Sequence, residues 1–207
     1  MTLLISGIIL GQSFDPETGT WDNYYKASGL MIPFGFNYSK IHYNNSKDST
    51  IHYRAGVNFG LEYKFTNIIS GITFQQRGYK IRFNSSNHNL IKYNYLSLHC
   101  LIPTFSIYRI INLYTGFQTG IFLFGSKISK QDYNSSSYDS NSDETKFLSN
   151  DNYRNDVGLI VGLKYPISRK LELMISYYYG IVELKNDIDI VDNWKNNSLS
   201  TVLIIDI

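Results

Sequence analysis

The chain of 207 residues carries 19 basic and 17 acidic residues, a net charge of +2, so nothing resembles the concentrated basic face that binds nucleic acid. A single cysteine, Cys100, excludes an internal disulfide framework and a cysteine-based zinc site, and we interpret it as a small apolar residue. Aromatic residues make up 15% of the chain, which favours an all-β protein of one domain, because these side chains suit a half-buried sheet.

The N-terminal segment is a short apolar run. Residues 2–10 are mostly Leu and Ile and precede Gly11, which is typical of the hydrophobic part of a signal peptide followed by a small residue at the cleavage site. We expect residues 1–11 to be a signal-peptide remnant, 12–25 an N-terminal extension and 26–207 the barrel domain argued below. The alternative is that the run is a first strand, since the usual basic residues before it are missing.

Strict alternation of apolar and polar residues begins at Tyr53. From residue 53 to 65 the odd positions are apolar and the even positions are polar or glycine. This period of two predicts a β-strand, since a helix would spread both classes around its circumference. The sequence contains no run of about 18 consecutive apolar residues, which would predict a transmembrane helix. A membrane strand needs only such alternation.

A hairpin is predicted next in the chain. The apolar residues move to even positions, at Ile68, Ile72 and Phe74. A two-residue turn at 66–67 explains this change, because it places Phe65 opposite Ile68. Beyond Gly78 the apolar residues return to odd positions from Tyr79 onward, which predicts a bulge near Gly78.

Two alternating segments near the C-terminus, 157–165 and 171–181, are separated by a five-residue loop. A register that pairs the residues flanking this loop places Lys164 opposite Glu172. We therefore predict that these two side chains are cross-strand neighbours inside the barrel, because opposite charges at facing positions stabilise a strand pair.

The remaining strands complete an all-β, up-and-down antiparallel transmembrane β-barrel of about eight strands. They alternate less regularly and lie at 30–38, 96–102, 113–123 and 199–207. Short turns near 66–67, 108–110 and 166–170 alternate with long polar segments near 42–51, 84–91, 130–152 and 185–197. An even strand number, with short turns at one end and long loops at the other, is the plan of outer-membrane barrels.

Aromatic residues recur near the predicted strand ends. They are Tyr38, Tyr43, Tyr53, Tyr63, Phe65, Tyr93, Tyr95, Tyr108 and Tyr165. Such positions suit the aromatic girdles of a membrane barrel. The alternative is that Tyr and Phe are simply common in strands.

The predicted inner face carries a set of polar side chains, Arg54, Glu62, Lys64, Gln75, Arg77, His99, Gln118, Lys164 and Glu172. Bulky residues are expected beside them, namely Tyr114, Phe122, Phe124, Met174 and Tyr178. An eight-stranded barrel is just wide enough for side chains, so we expect a hydrogen-bonded plug and no open pore. The alternative is a proton or solute path, although buried charges are more often simply paired.

Enzymatic chemistry is not predicted. His42, His52 and His88 lie in or beside polar loops, and their spacing suggests neither a catalytic triad nor a metal site. We expect no catalytic residue, no metal site, no cofactor and no nucleic-acid partner.

The strand pattern resembles the PorT-like family of small outer-membrane barrel proteins, also called porin-family β-barrels. The resemblance lies in Tyr95-Leu96-Ser97-Leu98, in 113–124 with Gly116 and Gly120, in 156–165, and in 173–180 with its Tyr-Tyr-Tyr-Gly ending. It covers roughly 26–207 and implies a bacterial outer-membrane location with lipid as a partner. Some relatives serve in export or secretion machines, so the resemblance also permits protein partners there.

Three hypotheses follow for function. The first is a structural or surface-interaction barrel that acts through its loops. The second is an accessory subunit of an outer-membrane secretion or export complex. The third is a soluble lipocalin-like carrier, whose apolar side chains would point inward, whereas we predict that they point outward to lipid because the charged residues share the opposite face.

Overall fold

The fold is one closed antiparallel barrel, given by a computed structural model. It describes residues 13–15, 20–22, 28–42, 50–65, 68–82, 87–107, 111–131, 141–148, 155–168, 170–185 and 193–207. The barrel strands are β1 Ser28–His42, β2 Thr50–Phe65, β3 Ile68–Arg82, β4 Asn87–Ile107, β5 Ile111–Gln131, β6 Asp156–Ser168, β7 Leu171–Gly180 and β8 Asn193–Asp206. Each strand pairs with its neighbours in the chain, and β8 pairs with both β7 and β1. The predicted eight-stranded up-and-down barrel is confirmed.

Four short strands accompany the barrel. Ser13–Asp15 pairs with Thr20–Asp22, Asn141–Leu148 pairs with the distal part of β5, and Leu184–Lys185 pairs with the start of β8. The expected cleavage position at Gly11 lies outside the described residues, so the signal peptide stays a prediction. No helix among the described residues is long and apolar enough to cross a membrane.

The two faces of the wall differ as the alternation predicts. Phe59 and Val161 are 52% and 48% exposed on the outer face, whereas Asn58 and Glu62 are 6% and 5% exposed inside. Apolar side chains thus cover the outside, while charged and polar ones lie in the middle of the lumen. This arrangement argues against the soluble carrier.

The β2–β3 hairpin has the predicted register, with Phe65 opposite Ile68. The irregularity expected near Gly78 is present, but the extra residue lies on β2. The five residue steps from Tyr53 to Asn58 on β2 pair with only four steps on β3, from Tyr79 to Gln75. The odd residues of β3 therefore stay inside, and Tyr79 is fully buried in the lumen because the long-loop half of the lumen is apolar.

The predicted register of the β6–β7 hairpin is wrong by two residues. Lys164 pairs with Met174, not with Glu172. The strands continue pairing into the expected loop, as far as Ser168 opposite Leu171, with an irregularity after Leu171. A shift of two keeps every side chain on its own face, and the Lys164 ammonium still lies 3.6 Å from the Glu172 carboxylate.

Strands β4 and β5 extend well beyond β6, which begins at Asp156 opposite Gly120. The distal part of β5 instead pairs with Asn141–Leu148. A register irregularity, in which Asn94 pairs with Phe124 and Tyr95 with Phe122, adds one residue on β5. Phe124 was expected in the lumen, but this bulge turns it to the outer face, where it is 46% exposed.

The predicted aromatic girdle is correct only in part. Exposed on the outer face are Tyr38, Tyr53, Tyr63, Phe65 and Tyr165. Tyr93 and Tyr95 instead point into the lumen and are completely buried. Tyr43 and Tyr108 lie outside the described residues.

Candidate functional site

The lumen contains two networks of charged and polar side chains. The upper network, toward the long loops, joins Arg77 of β3 to Asp156 of β6, with 2.6 Å between Arg77 Nη1 and Asp156 Oδ2 and both side chains fully buried. Gln75 Oε1 accepts from Arg77 Nη2 at 2.6 Å and from Gln118 Nε2 at 2.8 Å. Asn196 Nδ2 donates to Asp156 Oδ2 at 2.9 Å. Four strands are thereby joined across the lumen.

Aromatic rings enclose the Arg77 guanidinium. Its Cζ lies 4.1 Å from the ring centre of Tyr178 and 5.4 Å from that of Tyr95. Cation–π contacts of this kind are strongest where water is excluded. Arg77 therefore has favourable partners on several sides, which compensates for burying its charge.

The lower network lies nearer the short turns. Glu62 Oε1 lies 3.1 Å from His99 Nε2, and Glu62 Oε2 lies 3.9 Å from Lys164 Nζ. Lys164 Nζ also lies 3.6 Å from Glu172 Oε2 and 5.3 Å from the ring centre of Tyr114. Two carboxylates thus flank one buried ammonium group.

A glycine makes space for the lower network. Gly71 of β3 pairs with Glu62 on one side and with His99 on the other. A Cβ atom at Gly71 would lie 2.6 Å from Glu62 Cγ. The missing side chain thus lets Glu62 and His99 meet across β3.

The nine polar residues predicted on the inner face divide into three groups. Gln75, Arg77 and Gln118 belong to the upper network, and Glu62, His99, Lys164 and Glu172 to the lower one. Lys64 is half-buried beyond them. Arg54 is also half-buried at the β2 bulge, where it donates to Arg77 O at 3.4 Å and Gln76 Oε1 at 3.3 Å.

Two members of the upper network, Asp156 and Asn196, were absent from the sequence-predicted set. Asp156 has the parity of Gly158 and Lys164, so extending the alternation of β6 by one step would have placed it inside. Asn196 lies in a polar stretch whose alternation is weak, and no sequence signal identifies its contact with Asp156.

An apolar cluster closes the lumen above the upper network. This upper cluster consists of Ile41, Tyr79, Ile81, Ile91, Tyr93, Tyr95, Phe122 and Leu184. The Phe122 ring lies 6.0 Å from Tyr93 and 5.9 Å from Tyr95, both edge to face. A second cluster, which includes Met31, Ile69, Leu101 and Ile204, fills the lumen toward the short turns.

The remaining interior space is small. A cavity of about 30 Å³ lies between the two networks, lined by Asn58, Glu62, His99 and Tyr178 among others. Such a volume holds about one water molecule. Asn58 Oδ1 has no protein hydrogen-bond partner among the described residues, which makes the cavity suitable for water. No group of three or more metal-ligating side chains occurs in the described part of the chain.

Membrane barrels are among the solved structures similar to this chain. Neisserial surface protein A has a TM-score of 0.53 at 12% identity, covering 88% of this chain and 100% of its own. Ail, the attachment invasion locus protein of Yersinia pestis, has a TM-score of 0.48 at 16% identity, covering 88% and 100%. OprG of Pseudomonas aeruginosa has 0.41 at 13%, covering 88% and 95%. At such identities the likeness to Neisserial surface protein A shows the fold alone.

The family comparison extends the result from fold to location. No curated protein matches the sequence. The family model for the outer membrane protein beta-barrel domain matches residues 12–186, which is most of the chain. The protein is therefore located in the bacterial outer membrane, while the PorT-like resemblance stays a prediction. The chain belongs to the outer membrane protein beta-barrel domain family.

Proposed function

We propose that the protein is a closed outer-membrane barrel that acts at the cell surface through its long extracellular segments and does not conduct solutes. The observation that supports this proposal is the filled lumen. The upper cluster closes the lumen at one end, and the cavity between the two networks, among the described residues, measures about 30 Å³. An ion passing through would have to separate the buried Arg77–Asp156 pair, and removing one partner of such a pair typically costs about 3–5 kcal/mol.

The connecting segments are where an interaction with external molecules would take place. The longer connections, at 43–49, 83–86, 132–155 and 181–192, all leave the same end of the barrel. In outer-membrane barrels this end faces outside the cell. The segment 132–141 is rich in Asn, Ser and Asp, a composition suited to polar contacts on loops held by a rigid scaffold.

Conductance measurements test the proposal. The purified full-length protein in planar bilayers is expected to give no reproducible discrete conductance steps, because its lumen is filled. Steps that disappear in Glu62→Gln but persist in Phe59→Ala, which changes only the lipid-facing wall, would overturn it. A solute path through the lower network would then be the better explanation.

A further inference from the structure

Four cationic side chains lie together on the outer wall of the barrel beyond its apolar band. They are Lys80 and Arg82 of β3, Lys92 of β4 and Lys146 of the strand Asn141–Leu148, and we call them the basic surface. Lys80 lies between Tyr79 and Ile81, whose side chains are buried in the lumen, so its own side chain points outward. Lys92 lies between two buried residues in the same way.

Strand pairing brings these residues together although they are far apart in the sequence. Lys92 pairs with Ser126, which in turn pairs with Lys146, so the two lysines lie two strands apart in one row. Strands are about 4.8 Å apart, which puts their Cα atoms about 10 Å from each other. Lys80 pairs with Leu90, two positions along β4 from Lys92. Flexible side chains at these spacings can reach one polyanionic group.

The positive charge of the basic surface exceeds the negative charge described around it. Lys80, Arg82, Lys92 and Lys146 form no ion pair with any residue that the structure describes. The described carboxylate closest to them is that of Glu144, which lies two residues from Lys146 on the same face of its strand and three strands from Lys80 in one row.

The basic surface begins at the height of lipid headgroups and extends above it. Leu96 and Phe124 are the last exposed apolar side chains of the wall on β4 and β5. Lys92 lies four residues beyond Leu96, about 13 Å along a tilted strand and thus about 10 Å higher. Lys146 pairs with Ser126, which lies two residues beyond Phe124, so Lys146 lies about 5 Å higher than Phe124. The headgroup layer is about 5–8 Å thick on each side of the hydrocarbon, so Lys146 lies within it, Lys92 lies just above it, and Lys80, whose row is two residues beyond Lys92, lies higher still.

We propose that the basic surface binds the phosphate groups of lipopolysaccharide, the glycolipid of the outer leaflet. Clusters of Lys and Arg beside a membrane attract anionic headgroups strongly. Because these side chains point sideways from the wall, they meet a ligand anchored in the membrane sooner than a soluble one above the barrel. The inference depends on the outer-membrane location and is independent of whether the lumen conducts.

The test measures equilibrium binding of fluorescently labelled lipopolysaccharide to the full-length protein in zwitterionic detergent. The triple variant Lys80→Gln/Lys92→Gln/Lys146→Gln is expected to raise the Kd at least about tenfold. The control Lys64→Gln/Lys170→Gln removes positive charge from the short-turn end of the barrel and should leave the Kd unchanged. Circular dichroism checks that both variants keep the β-sheet fold.

A second arm separates phosphate recognition from binding of acyl chains. Dephosphorylated lipopolysaccharide should bind the unaltered protein as weakly as intact lipopolysaccharide binds the triple variant. Equal affinity of the triple variant and the unaltered protein for intact lipopolysaccharide, or no loss on dephosphorylation, would overturn the proposal. If the triple variant fails to fold, Lys92→Gln and Lys146→Gln are compared singly with Lys170→Gln, and the same criteria apply.

Discussion

The buried charged residues of the lumen stabilise one another. Arg77 and Asp156 are fully buried, and each charge is compensated mainly by the other at 2.6 Å. Burying an ion pair is weak evidence for stability in itself, because desolvation offsets much of the attraction. Losing one member is different, because the remaining charge stays buried without a counterion.

Replacing Arg77 by Met should therefore lower the free energy of unfolding by about 3–5 kcal/mol, measured by urea titration in phospholipid vesicles. The double variant Arg77→Met/Asp156→Leu should recover most of this loss, because neither charge remains. Arg54→Gln is the control, since Arg54 is only half-buried and makes two long hydrogen bonds. A double variant no more stable than the single one would show that the pair is not coupled as described.

Gly78 is a second residue on which the wall depends. Its φ is +155°, and a Cβ atom there would collide with the carbonyl oxygen of Ile91. The Ser39 hydroxyl also accepts from Gly78 N at 2.7 Å and donates to Gly78 O at 2.8 Å, which joins β1 to β3 across the β2 bulge. The nearby Ile91 carbonyl and the two hydrogen bonds to Ser39 thus fix the position of the backbone at Gly78.

Gly78→Ala should destabilise the barrel by about 2 kcal/mol or more, because the new methyl group meets fixed backbone in a conformation that disfavours side chains. Gly120→Ala is the matched control, since the nearest atom there is a Tyr95 ring carbon at 3.2 Å. That ring can move slightly, so the control should lose less stability in the same urea titration. An equal loss in both variants would contradict the assigned role of Gly78.

Along a strand, the alternation predicts which residues share a face, and Phe59, Asn58 and Glu62 lie on the faces it predicts, whereas Phe124 does not, because of the bulge on β5. The alternation does not predict whether an apolar residue faces lipid on the outer wall or lies in the apolar part of the lumen. Tyr93 and Tyr95 were expected on the outer girdle but lie in the lumen, because the lumen near the long loops is itself apolar. Asp156 was missed because it lies at the start of a strand, where the pattern is least distinct.

The register of a hairpin is harder to predict than its faces, because it depends on where pairing stops.

Engineered disulfides test the register of the β6–β7 hairpin, and the test uses a Cys100→Ser background. Cysteines at Leu163 and Ile175, which pair in the structure, should form a disulfide upon mild oxidation. Cysteines at Tyr165 and Leu171, which the sequence pairs, should not. The reverse result, detected by mass spectrometry of peptides, would restore the register predicted from the sequence.

At the scale of the whole molecule, an apolar outer wall surrounds a filled interior. Phe59 and Val161 face outward, and Asn58 lines the small cavity at mid-barrel. The filled interior follows from strand number, since eight strands leave room for side chains and little else. We therefore expect lipid to contact the outer wall and water not to pass through the lumen.

Spin-label accessibility in vesicles measures both the lipid contact of the outer wall and the access of water to the lumen. Single cysteines replace Phe59, Val161 or Asn58 in a Cys100→Ser background, and each label is exposed to membrane-soluble oxygen and to a water-soluble nickel complex. Labels at Phe59 and Val161 should respond to oxygen, and a label at Asn58 should respond to neither reagent. A nickel response at Asn58, or labels at Phe59 and Val161 shielded from oxygen, would contradict the account.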